Sequence, residues 1–336
     1  MASTSPLIKT TVVGSYPVPD WLASHPTEQG LADATRVVIH TQEKVGLDVV
    51  CDGELYRFDV NHPETNGMIE YFVRPMSGIR TEITFEELVT YRAQEGMGFR
   101  TRPPGVVDGP VGGGALDLPG ACSTAKKLAT KPLKFTVTGP HMLAKTLIDK
   151  HYGGIPELAQ GIAEALAEQV RHIDADVVQL DEANLPGHAE EWEWASTAIN
   201  TVLDAVQGTP AVHLCFGNYG GQTVQEGTWD RLMQYLNSLN ADHIVMEMAH
   251  RQPEELESFK DLRPEIGLGL GVVDIKRTDV ESADEIARKI ERAEKVLGPG
   301  RVTYIHPDCG FWMLKRSIAD AKISALVAGR NLYEGL

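Results

Sequence analysis

No stretch of the chain approaches the roughly 20 consecutive apolar residues that a membrane-spanning helix needs. The opening Met-Ala-Ser-Thr-Ser-Pro-Leu-Ile-Lys has no apolar core of signal-peptide length, so a cytoplasmic protein without a membrane partner is expected. Positive charge is scarce: 31 Lys and Arg against 47 Asp and Glu leave a net charge of -16. A phosphate-binding surface needs clustered Lys and Arg, which argues against nucleic acid as a partner. The four cysteines, Cys51, Cys122, Cys215 and Cys309, lie far apart and lack the paired spacing of a disulfide scaffold. They read as reduced thiols or metal ligands. Two nucleotide signatures are missing as well. No Gly-x-Gly-x-x-Gly turn follows an early strand, and Gly112-Gly-Gly114 is not followed by Gly-Lys-Ser/Thr.

What the chain does have is rhythm. With 336 residues, 42% of them hydrophobic, it can bury a full core. Short apolar runs at 11–15, 48–54, 135–140, 177–182, 211–216, 243–248, 267–274 and 302–309 read as strands. Helical spacing fits 28–45, 142–150, 156–173, 190–205, 224–239, a stretch from Pro253, 281–297 and 314–332. Eight strands alternating with helices predict an α/β fold, a (β/α)8 TIM barrel. A doubly wound open sheet is the alternative. The expected layout is a single barrel over 1–336 with an insertion at 55–131 after the second strand. Within that insertion, 71–73 and 79–91 look like strand and helix pieces.

The barrel reading gives the polar residues a place. Barrel enzymes carry their chemistry at the C-terminal ends of strands, and Ser15, Glu54, His141, Asp181, His213 with Cys215, Glu247, Asp274 and Cys309 each fall at such an end or just past it. His213 and Cys215 are two apart and project to the same face of a strand. Alone, that pair reads as a core cysteine beside a hydrogen-bonded histidine. Glu247 and Cys309, however, end otherwise apolar strands and are costly to bury without a partner. His213, Cys215, Glu247 and Cys309 form a mixed N, S, O, S set that suits tetrahedral zinc.

The motifs His213-x-Cys215, Glu247 and Pro307-Asp308-Cys309-Gly310, with Val13-Gly14-Ser15, Gly53-Glu54, Gly139-Pro140 and Gln179-Leu-Asp181-Glu182, together resemble the catalytic barrel of cobalamin-independent methionine synthase, in its short single-barrel form. The resemblance implies that His213, Cys215, Glu247 and Cys309 bind a zinc ion that activates the thiol of homocysteine. It also implies that Ser15, Glu54 and Asp181 hold the amino-acid part of that substrate. The donor would be a methylfolate, a methylcobamide or a corrinoid protein. The long enzymes follow Gly-Pro with a Trp that stacks on folate, where this chain has His141-Met-Leu-Ala-Lys145. They carry Asp-Ile-His after the seventh strand, where this chain has Asp274-Ile-Lys276. His141, Asp274 and Lys276 are therefore the candidates for proton handling, and His306 reads as structural.

The donor set argues for the same chemistry without the family. Zinc carrying two thiolates and a carboxylate has a net charge of minus one and is poor at making hydroxide, but well suited to holding a substrate thiolate. S-alkylation is favoured over hydrolysis. Two other readings are a related alkyltransferase resembling the epoxyalkane coenzyme M transferases, and a non-catalytic zinc-stabilised barrel.

Overall fold

A computed structural model describes residues 8–58, 65–93, 100–217 and 225–336. Among these, eleven strands form: β1 (Lys9–Thr10), β2 (Val50–Cys51), β3 (Ser77–Arg80), β4 (Val106–Gly112), β5 (Leu133–Thr138), β6 (Ile148–Asp149), β7 (Val177–Asp181), β8 (Thr209–Leu214), β9 (His243–Met246), β10 (Gly267–Val273) and β11 (Val302–Pro307). Eight of them join in parallel in the order β1-β11-β10-β9-β8-β7-β5-β2. The ring closes between β1 and β2 without a regular ladder. There the N–H groups of Asp48 and Val49 both donate to the Thr10 carbonyl at 3.1 Å, and Tyr16 N–H donates to the Gly53 carbonyl at 2.9 Å. The Asp48 carboxylate ties the seam by accepting from Thr10 N at 2.7 Å, Thr10 Oγ1 at 2.8 Å and Arg330 Nη1 at 2.8 Å. The fold is the expected (β/α)8 barrel.

Strand alternation divides the core in two. Outward side chains pack under the helices in one large apolar cluster, while Val13, Val49, Val177, Ala211, Val245 and Tyr304 form a separate small one. The register stacks inward-facing residues in layers: Gln179 beside Ala211 beside His243, then Asp181 beside His213 beside Val245. The second layer is the floor of the site.

The helices follow from their sequences. Glu28–Val45 is capped by Thr27, whose side chain accepts from Gly30 N, and it ends at Gly46 with φ 95°, the left-handed cap a glycine allows. Ala283–Leu297 starts on a Ser282/Glu285 capping box and buries Ile286, Ile290 and Ala293. Several boundaries differ from expectation. The first strand stops at Thr10 because the carbonyls of Val12 and Val13 are taken by side chains, Lys134 Nζ and Gln179 Nε2, rather than by a neighbouring strand. The second stops at Cys51, because Gly53 and Glu54 both take positive φ. The helix expected over 142–150 is Pro140–Thr146, and its tail forms β6 instead. Pro253–Asp261 is a 3-10 helix. Val224, the first residue of the helix expected over 224–239, and Asn218 after the His213 strand lie outside the described residues, and residues 225–228 are not helical. The rest of that helix is a 3-10 turn, Trp229–Leu232, followed by the α-helix Met233–Ser238.

Between Leu55 and Lys131 the described residues build the short helices Glu70–Val73, Phe85–Arg92 and Leu118–Lys126, together with β3 and β4. Tyr71–Val73 is thus helical and not a strand. β3 and β4 pair antiparallel, and β4 pairs parallel with β6, which makes a three-stranded side sheet. Among the described residues no helix is long and apolar enough to cross a membrane. Asp48→Ala should weaken the β1–β2 seam and lower the unfolding free energy by about 2 kcal/mol, the scale of a lost charged hydrogen-bond acceptor. Urea denaturation would measure it.

Candidate metal and thiol site

β8 ends at Leu214, and Cys215 follows as the chain leaves the sheet. His213 is buried and donates from Nδ1 to the Val245 carbonyl of the adjacent strand at 3.0 Å. That bond sets the tautomer and leaves Nε2 as a lone pair. Nε2 is buried and has no protein partner. What lies against it are two sulfurs: the donor atoms of His213, Cys215 and Cys309 fall within 4.8 Å of one another. The sulfurs are 3.9 Å apart and both cysteines are free thiols. The Cys215 sulfur and the His213 ring hold the Cys309 thiol well below the usual range, against the effect of burial. Its bond to Cys309, reinforced by burial, pushes Cys215 up. An orphaned imidazole nitrogen facing two thiols, one of them readily ionised, is a donor set that a zinc ion fits.

Glu247 does not belong to this group. Its carboxylate is fully buried at the end of β9, where Oε1 pairs with Lys276 Nζ at 2.8 Å and Oε2 accepts Phe216 N–H at 2.9 Å.

Beside the donor group sit two buried carboxylates. Asp181, next to His213 in the register, accepts from Gln179 Nε2 at 2.7 Å. Burial pushes Asp181 up to about 7, with His213 opposing and Glu54 adding to the rise. Glu54 is the one non-glycine residue with positive φ among those described, at 57°. This strained conformation is held by Asp52 Oδ1, which accepts Glu54 N–H at 2.9 Å, and by Thr136 Oγ1, which donates to Glu54 Oε1 at 2.5 Å. Burial raises the Glu54 carboxyl, although Arg57 at 3.7 Å and Thr136 pull the other way. Asp52 accepts from Tyr56 OH as well, at 3.0 Å, and so has a structural role. Two glycines make room for these groups. A Cβ on Gly14 would collide with the Glu54 carboxylate, and one on Gly310 with the Ser15 hydroxyl.

These residues line a cavity of about 920 Å³, counting its open mouth. Ser15, Glu54, Asp181, His213, Cys215 and Cys309 form its polar part. Phe58, Asn66, Met68 and Ile69 from the 55–131 region, with Met142, Asn184, Gln225 and Trp312, form much of the rest. Phe58 and Trp312 stack at 5.1 Å at an interplanar angle of 15°. Sequence reasoning missed these residues, since most lie in loops beyond the strand ends. Asn184 and Trp312, only three residues past Asp181 and Cys309, were within reach of the strand-end argument.

The three candidates for proton handling do not line the cavity. His141 is buried in the helix after β5, with Nε2 at 2.7 Å from Glu191 and its ring stacked on Trp194 at 4.9 Å. Burial lowers its pKa, against the pull of Glu191. Asp274 accepts Lys276 N–H at 2.8 Å and meets His250 Nδ1 at 3.1 Å, a pairing absent from the sequence reading. Lys276 is engaged by Glu247. His306 is buried with Nδ1 donating to the Pro307 carbonyl at 2.7 Å, and burial pushes its pKa down to about 3.

Residues 8–330 match the family described as cobalamin-independent synthase, catalytic domain. A methionine synthase from Saccharolobus solfataricus is 27% identical over 346 residues, spanning 97% of this chain and 95% of that protein. A methionine synthase from Thermococcus kodakarensis is 27% identical over 343 residues, spanning 96% and 93%. Among solved structures, a B12-independent methionine synthase from Shewanella sp. W3-18-1 in complex with selenomethionine has a TM-score of 0.79 at 24% identity, over 98% of both chains. A methyltransferase from Methanosarcina mazei has a TM-score of 0.61 at 14% identity, covering 99% of this chain and 95% of that one. On the match over residues 8–330, the chain belongs to the cobalamin-independent synthase catalytic-domain family.

Proposed function

We propose that the protein is a zinc-dependent S-methyltransferase that methylates the thiol of homocysteine to give methionine. The observation that carries this reading is the buried, unpartnered His213 Nε2 facing the Cys215 and Cys309 sulfurs on the floor of a cavity that also holds two buried carboxylates. Membership in the synthase family supports it.

His213, Cys215 and Cys309 would hold the metal, which when bound supplies a positive centre that keeps a thiol deprotonated near neutral pH. Glu54 and Asp181 receive the substrate ammonium, which relieves the cost of burying two carboxylates side by side. Ser15 adds a hydroxyl at the same wall. The apolar wall of Met68, Ile69 and Met142 excludes water from the sulfur. A methyl carrier, whether a methylfolate or a methylated corrinoid, would approach through the mouth beside Phe58 and Trp312.

Charge selects the thiol. Lys145 is paired with Glu191 at 2.8 Å, Lys276 with Glu247, and Arg57 points its Nη2 at the Thr136 carbonyl at 2.6 Å. None of the three lines the cavity. A sulfonate-bearing thiol such as coenzyme M would meet two carboxylates, with no Lys or Arg among the described lining residues and Arg57 3.7 Å behind Glu54. Unit charges about 4 Å apart interact by roughly 4 kcal/mol at an effective dielectric of about 20.

Three outcomes follow from this reading. Cys215→Ser or Cys309→Ser should reduce bound zinc from about one per chain to a small fraction, by elemental analysis, with little change in circular dichroism because the strands carry the core. Calorimetric titration of the zinc-loaded protein should give homocysteine the tighter binding; equal or tighter binding of coenzyme M would refute the charge argument. Homocysteine affinity should also strengthen as pH rises through about 7, where Asp181 ionises while the ammonium stays charged. Asp181→Asn should remove that component of the pH profile and weaken binding throughout.

A further inference from the structure

One fully buried cation has no part in the scheme above. Lys134, on β5, is 1% exposed and stands level with Val177 in the register, two inward layers deeper than Asp181. Its Nζ donates to the Val12 carbonyl and, at 2.8 Å, to Gln179 Oε1. Both acceptors are neutral oxygens. The Gln179 amide passes the contact on, because its Nε2 donates to Asp181 Oδ1 at 2.7 Å and to the Val13 carbonyl at 3.0 Å. One ammonium thus ties down the backbone that leads to Ser15 and, through Gln179, the carboxylate of Asp181. Neither Lys134 nor Gln179 lines the cavity, whereas Val13, Ser15 and Asp181 all do.

Burial pushes the Lys134 ammonium down to about 8, with Cys51, Asp181 and Glu54 opposing. It stays charged near neutral pH, and a charged ammonium only donates. That fixes the amide. A flipped Gln179 would set its NH2 against Nζ and its oxygen against a carbonyl and a carboxylate, which only accept. An apolar side chain of similar length would fill the same space without desolvating a charge. It could not dictate which end of the amide meets Asp181.

We infer that Lys134 is a positioning residue for the substrate amine: by locking the Gln179 amide it holds Asp181, and the backbone before Ser15, in the arrangement that receives the ammonium group. The inference rests on the homocysteine reading proposed above and names a residue outside the cavity that sets its selectivity.

The test is calorimetric titration of the zinc-loaded protein with homocysteine and with 4-sulfanylbutanoate, which keeps the thiol and the carboxylate and lacks the amine. In the unmodified chain homocysteine should bind more tightly. Lys134→Met, which keeps the chain length without the donor, should shrink that preference by about tenfold or more, the scale of a hydrogen bond to a charged group. Its binding of 4-sulfanylbutanoate and its zinc content should stay close to those of the unmodified chain. Gln179→Met should do the same, and the double variant should lose little more than either single one, because the two side chains act in series. If Lys134→Met does not fold, as read by circular dichroism, Gln179→Met carries both titrations. An intact preference for homocysteine in the variants overturns the inference. So does equal weakening of both thiols, the mark of general damage to the barrel. Absence of any preference in the unmodified chain would instead overturn the ammonium wall of the proposed function, which separates the two results.

Discussion

The hydrogen bond from His213 Nδ1 to the Val245 carbonyl is the contact on which the site depends. It exists because β8 and β9 run parallel with His213 and Val245 in register. It also commits the imidazole to one tautomer and one direction. The free nitrogen then faces Cys215, from the same strand, and Cys309, from β11 two strands beyond β9. A closed ring of parallel strands is what brings a residue near position 213 and one near position 309 together at a buried mouth. An open sheet in the same order would leave the β1 and β2 ends apart, and with them Ser15 and Glu54. The Asp48 seam is therefore as much a part of the candidate site as the donor atoms of His213, Cys215 and Cys309 are.

Electrostatics give the cavity its second character. Asp181 and Glu54 are both raised by burial, and the Glu54 charge adds to the rise at Asp181. Such an arrangement is costly in the free protein and is relieved by a cation. The backbone at Glu54 shares in the cost by adopting a left-handed conformation that a glutamate disfavours. Arg57, 3.7 Å from Glu54, offsets part of that cost, while Lys145 and Lys276 are paired with Glu191 and Glu247. Strain and charge together would suit the wall to the ammonium group of the proposed substrate.

The 55–131 region lines the cavity, among its described residues, with Phe58, Asn66, Met68 and Ile69. Its Met68 and Ile69 close one side of the cavity, and β4 joins the side sheet through β6, which lies just after the helix that carries His141. That link couples the region to the loops at the barrel mouth.

Residue pattern alone determined the eight barrel strands, the helix Glu28–Val45, and the convergence of His213, Cys215, Cys309, Glu54 and Asp181 on one end of the barrel. Local periodicity and strand ends carry that information, because alternation and topology dictate which way a strand-end side chain points. Tertiary structure decided the partners. Glu247 sits at a strand end as the pattern requires, yet an ammonium arriving from the loop after β10 takes its carboxylate. His141 follows Gly139-Pro140 at a strand end, but Glu191 and Trp194 draw it into the wall. Strand periodicity sets where a side chain starts; which of several buried donors it meets depends on loop reach and on the register of neighbouring strands, and neither is written in local sequence.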